Sequence, residues 1–142
     1  MYIRTYNPRD YEAVRSLWEK AGIQLTLSDR KAELHRVLQY NPDLFLVGEI
    51  DNQLVVALMG TYDGRRAYVH HLAVDPEYQH QGLGTQMMAH FESILKEKQV
   101  VKYHLMVERW NGKVVPFYEQ LGWYERTDLI LLSKDLRTPE TE

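Results

Sequence analysis

Residues 78–85 read Tyr-Gln-His-Gln-Gly-Leu-Gly-Thr, and they separate a strand pattern from a helix pattern. Before them, residues 68–74 form a β-branched and aromatic run that Asp75-Pro76 closes, which predicts a strand and its end. After them, apolar side chains recur at helical spacing, which predicts a helix that begins near Gly84. These apolar positions are Leu83, Met87, Phe91, Ile94 and Leu95. The centre of the chain is therefore predicted to be a strand, a short glycine loop and an amphipathic helix.

A loop of this kind is suited to bind an anion. The first N–H groups of a helix lack internal acceptors, and the helix dipole favours negative charge at that end. Gly82 and Gly84 have no Cβ atoms, so a phosphate can approach the backbone closely. The loop lacks the Lys of a P-loop, and Met87 stands where a dinucleotide-binding loop has its third Gly or Ala. The sequence thus predicts a phosphate-bearing ligand at residues 79–85, held by a loop of neither of these two classes.

The composition is that of an ordinary folded domain and excludes several classes of site. A length of 142 residues suits one domain with its own core, and 44% hydrophobic and 26% charged residues are ordinary values. A net charge of −3 disfavours nucleic acid as a partner, and the lack of cysteine excludes disulfides and thiolate chemistry. Neither a signal peptide nor an apolar run of about 20 residues is present. We therefore expect a cytoplasmic protein that does not bind membranes.

The first third of the chain predicts one strand and two helices. Residues 2–6 alternate as a strand does and end at Asn7-Pro8. Asp10 is a candidate N-cap for a helix that ends at Gly22, and its Trp18 is assigned to the core, with the floor of a groove as the alternative. Ser28 is predicted to cap a second helix, which Asn41-Pro42 closes.

The rest of the chain predicts a mixed sheet. Strands over 44–50, 54–62 and 67–74 form an antiparallel meander, with Asp51-Asn52-Gln53 as its first turn. Strand 67–74, the central helix and a strand from Val100 to Glu108 form a parallel βαβ unit. The last predicted elements are a helix over Val114 to Leu121, a strand or strand pair over Trp123 to Leu132, and a frayed tail over Arg137 to Glu142.

Two motifs in this order resemble those of the GNAT superfamily of acyl-CoA-dependent N-acetyltransferases. The first is Gln79-x-x-Gly82-x-Gly84, between a strand and a helix. The second is Asn111, six residues, Tyr118, and then Leu121-Gly122-Trp123. The resemblance covers almost the whole chain and is closest to small stand-alone bacterial members. It implies an α+β fold with a mixed, mostly antiparallel central sheet flanked by about four helices, and a single N-acetyltransferase domain over residues 1–142.

The resemblance also implies which residues bind acetyl-CoA, the acyl donor. The central strand would contact the pantetheine arm beside a β-bulge through Leu72, Ala73 and Val74. The glycine loop would hold the pyrophosphate through Gln79, His80, Gln81, Gly82, Leu83, Gly84 and Thr85. Asn111 would hold the pantetheine, and Tyr118 would donate a proton to the departing thiolate. Gln79 replaces the Arg that is commoner in the family, and Pro116 indicates that the last helix begins near Val115.

The general base is less determined, because this chain has His70-His71 where family members often have a glutamate or a water chain. An imidazole with pKa near 6.5 is a reasonable base at neutral pH. Neighbouring strand residues point to opposite faces unless a bulge intervenes, so His70, His71 and water all stay open as candidates. The six histidines show no paired spacing on a helix face, so we expect no metal.

The function implied by the resemblance is direct transfer of an acetyl group from acetyl-CoA to a primary amine. The alternative is a catalytically silent acyl-CoA-binding sensor or regulatory module on the same fold. A small-molecule amine, a peptide N-terminus and a protein lysine remain open as acceptors, and a homodimer is conceivable from the sequence.

Overall fold

Five strands lie side by side in chain order in the computed structural model, which describes residues 1–138. The strands are β1 (Tyr2–Thr5), β2 (Phe45–Ile50), β3 (Gln53–Tyr62), β4 (Ala67–Val74) and β5 (Tyr103–Leu105). Neighbours pair antiparallel from β1 to β4, and β4 pairs parallel with β5. The predicted meander and the parallel βαβ unit are confirmed.

Four α-helices accompany the sheet within residues 1–138. They are α1 (Tyr11–Lys20), α2 (Lys31–Tyr40), α3 (Leu83–Glu97) and α4 (Val115–Gln120). Short 3₁₀ turns lie at Pro8–Asp10, Leu27–Asp29, Pro76–Tyr78 and Arg109–Val114. The mixed, mostly antiparallel sheet with about four helices is therefore the architecture that the sequence predicts.

Apolar side chains cover both faces of the sheet because strand residues alternate between them. One face packs Phe45 and Val47 against Trp18 of α1 and Leu34 of α2, and all four are fully buried. The other face receives α3. There Gly60 leaves the space that the Phe91 ring occupies, so any Cβ at residue 60 would collide with that ring. Trp18 lies in the core, as its first assignment predicted.

Two 3₁₀ turns share one local motif, and each precedes a helix. In the Asn7 turn (residues 7–10), the Asn7 side chain accepts from the Arg9 N–H and the Asp10 carboxylate accepts from the Asn7 N–H. In the Thr26 turn (residues 26–29), Thr26 and Asp29 form the same reciprocal capping box. Asp10 is thus the N-cap residue of α1, but its side chain accepts from the Asn7 N–H and not from an N–H group of the helix.

The start of α2 and the extent of β5 differ from the sequence prediction, whereas the start of α4 agrees with it. Ser28 does not cap α2, because Thr26 caps the turn ahead of it and α2 begins at Lys31 with Arg30 as its N-cap. Strand β5 is shorter than residues 100–108, since the Val100 N–H bonds back to the Leu95 carbonyl at 3.1 Å. Helix α4 begins at Val115 with Pro116 in its first turn, as predicted.

The chain divides into two compact units, Met1–Met106 and Val107–Glu142. In the second unit, the predicted strand or strand pair over 123–132 is wrong, because these residues adopt no regular structure. Their apolar side chains at 129–132 are exposed, and β-propensity forms a strand only where a neighbouring strand accepts the hydrogen bonds. Part of the predicted tail, at 139–142, lies outside the described residues. The single-domain organisation stays a prediction.

Within residues 1–138, each helix is too short or too polar to cross a lipid bilayer.

Candidate functional site

The glycine loop joins β4 to α3 in a fixed conformation. The Asp75 side chain accepts from the Glu77 N–H at 3.0 Å and caps the turn that follows β4. The Gln79 side-chain amide then donates to the Val74 carbonyl at 3.1 Å, which ties the loop to the end of the strand. His80 and Gly82 both have left-handed backbone conformations, with φ of 64° and 79°. Gly82 is the N-cap of α3, so a residue that accepts positive φ without strain stands where the helix begins.

The N-terminus of α3 presents unpaired donors. The first intrahelical hydrogen bond runs from the Gln86 N–H to the Gly82 carbonyl at 3.0 Å, so the N–H groups of residues 83–85 have no acceptor within the helix. Gly82 has no side chain with which to cap this end, and no acidic residue lies in the first turn of the helix. A Cβ placed on Gly82 would meet no atom within 4 Å, so the space beside the loop is open. These features fit a phosphate group held by backbone donors and the helix dipole.

A β-bulge interrupts β4 just before the residues predicted to contact pantetheine. Met59 pairs with His71 and Gly60 pairs with Val69, so His70 is the extra residue on β4. The parallel pairing of β4 with β5 also ends at Val69. Beyond that point, and within residues 1–138, Leu72 to Val74 pair with β3 and not with β5. This edge of β4 can therefore accept an extended ligand, although the Val74 carbonyl already accepts from the Gln79 amide. The bulge that the family resemblance implies is present at His70.

The two histidines of β4 have different partners. The His70 Nε2 lies 2.8 Å from the Thr61 hydroxyl, and the residue as a whole is exposed. Partial desolvation of its ring, followed by repulsion from His71, lowers the pKa of His70. The His71 Nε2 lies 2.8 Å from Asp29 Oδ1, and Asp29 is only 6% exposed. Sequence reasoning missed Asp29, although the Thr26-x-x-Asp29 spacing of a capping box was a signal for a fixed carboxylate at that position.

A groove of about 300 Å³ opens between α2 and β3 on the first unit. Thr61, which is bonded to His70, and Ser28, the sequence neighbour of Asp29, both line it. Glu33 also lines the groove, with Arg36 at 3.4 Å from its carboxylate. The groove therefore borders Thr61, the partner of His70, and the residue next to Asp29 in the chain.

The second unit carries the other two predicted site residues. Asn111 interrupts a 3₁₀ turn with φ of −104° and ψ of 22°. Tyr118 lies in α4, and its ring packs edge-on against Phe117 and Trp123 at centroid distances of 5.0 Å and 5.9 Å. Burial raises the pKa of Tyr118 to about 12, so its phenol stays protonated at neutral pH.

Metal binding finds no support in the described part of the chain. Between residues 1 and 138, no three or more histidine, aspartate or glutamate side chains come together as a cluster able to hold an ion.

Comparison with known proteins identifies the family. The model of the acetyltransferase (GNAT) family matches residues 11–123. The chain belongs to this family. An acetyltransferase of Pectobacterium atrosepticum is 37% identical to this GNAT protein over 136 residues, with 96% of each chain covered. An acetyltransferase of Sodalis glossinidius is 34% identical over the same length and coverage.

Solved structures of GNAT proteins share the fold. Ard1 from Thermoplasma volcanium matches with a TM-score of 0.72 and 26% identity, over 85% of this chain and 80% of that one. This GNAT protein is thus an acyltransferase with the predicted fold, and the resemblance found from its two motifs is confirmed.

Proposed function

We propose that the protein transfers an acetyl group from acetyl-CoA to a primary amine, directly, with both substrates bound together. One observation carries the proposal: an open glycine loop with unpaired helix donors directly follows a bulged strand whose last residues lie beyond the pairing with β5. A diphosphate and an extended amide chain, which are the two polar parts of the CoA arm, require these two features side by side. The binding roles below are part of the same proposal.

The acyl donor would be held mainly by backbone groups. The N–H groups of residues 79–85 bind the pyrophosphate, with Gly82 allowing close approach. The edge of β4 at Leu72, Ala73 and Val74, which lies beyond the pairing with β5, bonds the pantetheine amides in the manner of an added strand. The family resemblance assigns a further side-chain contact with pantetheine to Asn111. Since Gln79 is uncharged, the loop relies on these donors rather than on an ion pair.

The reaction needs a base, an oxyanion donor and a proton for the sulfur. A histidine of β4, His70 or His71, takes one proton from the acceptor ammonium group. The freed electron pair on nitrogen attacks the thioester carbonyl, and a backbone N–H of β4 stabilises the oxyanion. The C–S bond then breaks with its electron pair on sulfur, and the amide forms.

Tyr118 would deliver the sulfur's proton. A free phenolate is unfavourable when the pKa is about 12. We therefore assign Tyr118 a relay role, in which its hydroxyl gives a proton to the sulfur while it accepts the second proton of the attacking nitrogen. Over the whole reaction one ammonium group becomes an amide, one thioester becomes a thiol, and one proton passes through the histidine to solvent.

The groove between α2 and β3 is the proposed acceptor site. It borders Thr61, the partner of His70, and it holds Tyr40 and Asn41, which can contact an apolar stem and a polar group. Arg36 partly neutralises Glu33, so the groove does not select strongly for a cationic acceptor. A small-molecule amine and a peptide or protein amine both fit this description.

A thermal-shift titration with acetyl-CoA tests the donor site, with CoA and adenosine diphosphate as further ligands. At 100 times its Kd, acetyl-CoA should stabilise the protein by about 2.7 kcal/mol, or several degrees in Tm. The Gly82→Val variant should lose most of this shift. Gly64→Val is the matched control, because Gly64 also has positive φ and open space around it but lies in the β3–β4 turn.

Both variants should lower Tm to a similar extent, since both strain a left-handed backbone position. Only Gly82→Val should change the response to acetyl-CoA. An unchanged response in Gly82→Val, or no shift in the wild type at millimolar ligand, would contradict the proposed donor site. Thiol release with a panel of amines then separates an enzyme from a silent binding module.

A further inference from the structure

The strongest unassigned feature is a buried carboxylate that is bonded to a strand histidine from a distant part of the chain. Asp29 lies in the Thr26 turn, 42 residues before His71, and its Oδ1 lies 2.8 Å from the His71 Nε2. Its Oδ2 accepts from the Thr26 N–H at 3.0 Å and from the Thr26 hydroxyl at 3.3 Å. Both oxygens are thus engaged, and the carboxylate cannot rotate away from the imidazole without breaking the capping box.

The pairing determines which imidazole nitrogen carries the proton. Burial alone would raise the pKa of Asp29, but hydrogen bonds from His71 and from the Thr26 N–H outweigh it and hold the pKa below its ordinary value. Asp29 is therefore ionised and can only accept. The His71 Nε2 must then carry hydrogen and donate, which leaves the lone pair of neutral His71 on Nδ1. Nδ1 has no hydrogen-bond partner among residues 1–138.

The surroundings hold the ring in place while leaving it accessible. The buried Trp18 ring packs edge-on against His71 at a centroid distance of 4.8 Å, and Met59 is its register partner on β3. The His71 side chain remains 21% exposed. The titratable groups that face it are Asp29, from the turn before α2, and His70 on its own strand, since α1 and β3 present the apolar Trp18 and Met59.

His71 also lies at the right point of the chain for acyl transfer. It lies directly before Leu72, on the part of β4 that follows the last residue paired with β5, and Asp29 directly follows Ser28, which lines the groove. His70 differs in its partner, because the Thr61 hydroxyl can donate or accept and so does not select one imidazole tautomer.

We propose that the His71 Nδ1 is the atom that takes the acceptor's proton, and that Asp29 is the positioning residue that keeps this nitrogen unprotonated and the ring in place. The proposal rests on the proposed acetyl transfer and selects between its two candidate bases. In the step itself, one ammonium N–H bond breaks, an Nδ1–H bond forms, and the nitrogen keeps the electron pair with which it attacks the thioester carbon. The imidazolium, paired with the Asp29 carboxylate, later releases its proton to solvent.

The tautomer can be measured without any turnover. Long-range ¹H–¹⁵N correlation spectra of the wild-type protein above the histidine titration should show His71 with its hydrogen on Nε2. In Asp29→Asn, the side-chain oxygen can still accept from the Thr26 N–H, and the amide NH₂ then faces the imidazole. The hydrogen of His71 should therefore move to Nδ1. A wild-type spectrum with hydrogen on Nδ1 would overturn the positioning role of Asp29.

Kinetics test the base itself. Asp29→Asn and His71→Ala should each lower kcat/KM by at least about 100-fold, which is the usual contribution of a general base, and should remove the acid limb of its pH profile. The double variant should be no worse than either single variant, because the two residues act as one unit. If the fold losses in kcat/KM of the two single variants multiplied in the double variant, the two residues would act independently and the proposal would be overturned.

Thr26→Val is the matched control for loosening of the turn. It removes the capping hydroxyl but leaves the Thr26 N–H bond to Asp29 and the Asp29–His71 contact in place. We expect its kcat/KM to stay within about threefold of the wild type, with an unchanged pH profile. A loss in Thr26→Val equal to that in Asp29→Asn would assign the effect to the turn and overturn the proposal.

Failure of this proposal and failure of the proposed function give different results. If the wild type binds acetyl-CoA and acetylates an amine while Asp29→Asn keeps its pH profile, only the base assignment is wrong. If the wild type acetylates no amine in the panel, the acetyl-transfer proposal fails and the base role of His71 fails with it. The spectra still decide whether Asp29 sets the His71 tautomer in either case.

Discussion

The Asn7 turn and the Thr26 turn have the same local structure but different partners. Each ends in a buried aspartate, 7% exposed at Asp10 and 6% at Asp29, that accepts from the backbone N–H of its N-cap residue. The Asp10 carboxylate also accepts two hydrogen bonds from Arg4, at 2.8 Å and 2.9 Å. Arg4 donates a further hydrogen bond to Glu49 at 3.0 Å. The Asp29 carboxylate instead forms its further hydrogen bond with His71.

The difference in partner changes what the same motif can do. A guanidinium stays charged at every pH at which proteins fold, so the Arg4–Asp10 pair is a permanent attachment of β1 to the start of α1. An imidazole nitrogen can both accept and donate a proton, so the Asp29–His71 pair can take part in proton transfer. One turn therefore stabilises the fold, and the other orients a reactive side chain.

The largest expected effect on stability comes from breaking the first pair. Arg4→Leu leaves Asp10 buried without its cation and should lower the free energy of unfolding by about 3 kcal/mol, measured by urea denaturation. Arg15→Leu is the matched control, because Arg15 pairs with Glu19 on the exposed face of α1 and should lose less than about 1 kcal/mol. His71→Ala should lose only about 1 kcal/mol, since Asp29 keeps its bonds to Thr26. Equal losses in Arg4→Leu and His71→Ala would remove the distinction between the two turns.

The second expected effect is on acid stability. Burial alone would raise the pKa of Asp10, but hydrogen bonds from Arg4 and from the Asn7 N–H outweigh it and hold the pKa below its ordinary value. A depressed folded-state pKa stabilises the protein above the unfolded value near 3.9, and this contribution disappears as the pH falls through the folded pKa. Asp10→Asn should therefore destabilise the protein at pH 7, and its difference from the wild type should shrink below about pH 4. Thermal denaturation from pH 2.5 to 7 measures this, and a constant difference across that range would contradict it.

The smallest expected effect concerns what the two turns share. Asn7→Ala and Thr26→Val each remove a capping side chain from a backbone N–H and should each lower the free energy of unfolding by about 1 kcal/mol. Because the capping boxes are alike, the two losses should agree within about 0.5 kcal/mol in parallel thermal denaturation. A much larger loss at Thr26 would indicate that the turn depends on the Asp29–His71 pair for its own stability.

Local sequence signals predicted most of the fold. The β-branched and aromatic run of β4, the helical spacing after Gly82 and the Asp51-Asn52 turn each depend on a few adjacent residues, and the structure contains all three. The glycine loop was found for the same reason, because its strand, turn and helix follow one another directly in the chain.

The remaining features depend on distant partners, which single-sequence patterns do not specify. Asp29 and His71 are 42 residues apart, so the sequence around either residue does not predict their contact. The same limit explains the wrong strand at 123–132, where a β-prone apolar run adopts no strand conformation. The choice between His70 and His71 likewise depended on Thr61 and Asp29, which only the folded chain brings to them.

The strand order of the sheet has a consequence for how the protein is made. Because the five strands lie in the order in which they occur in the chain, each strand pairs with one that the ribosome has already released. In this order, no later strand has to insert between two strands that have already paired. The sheet can therefore grow during synthesis by addition at one edge, with β5 as the last strand to join.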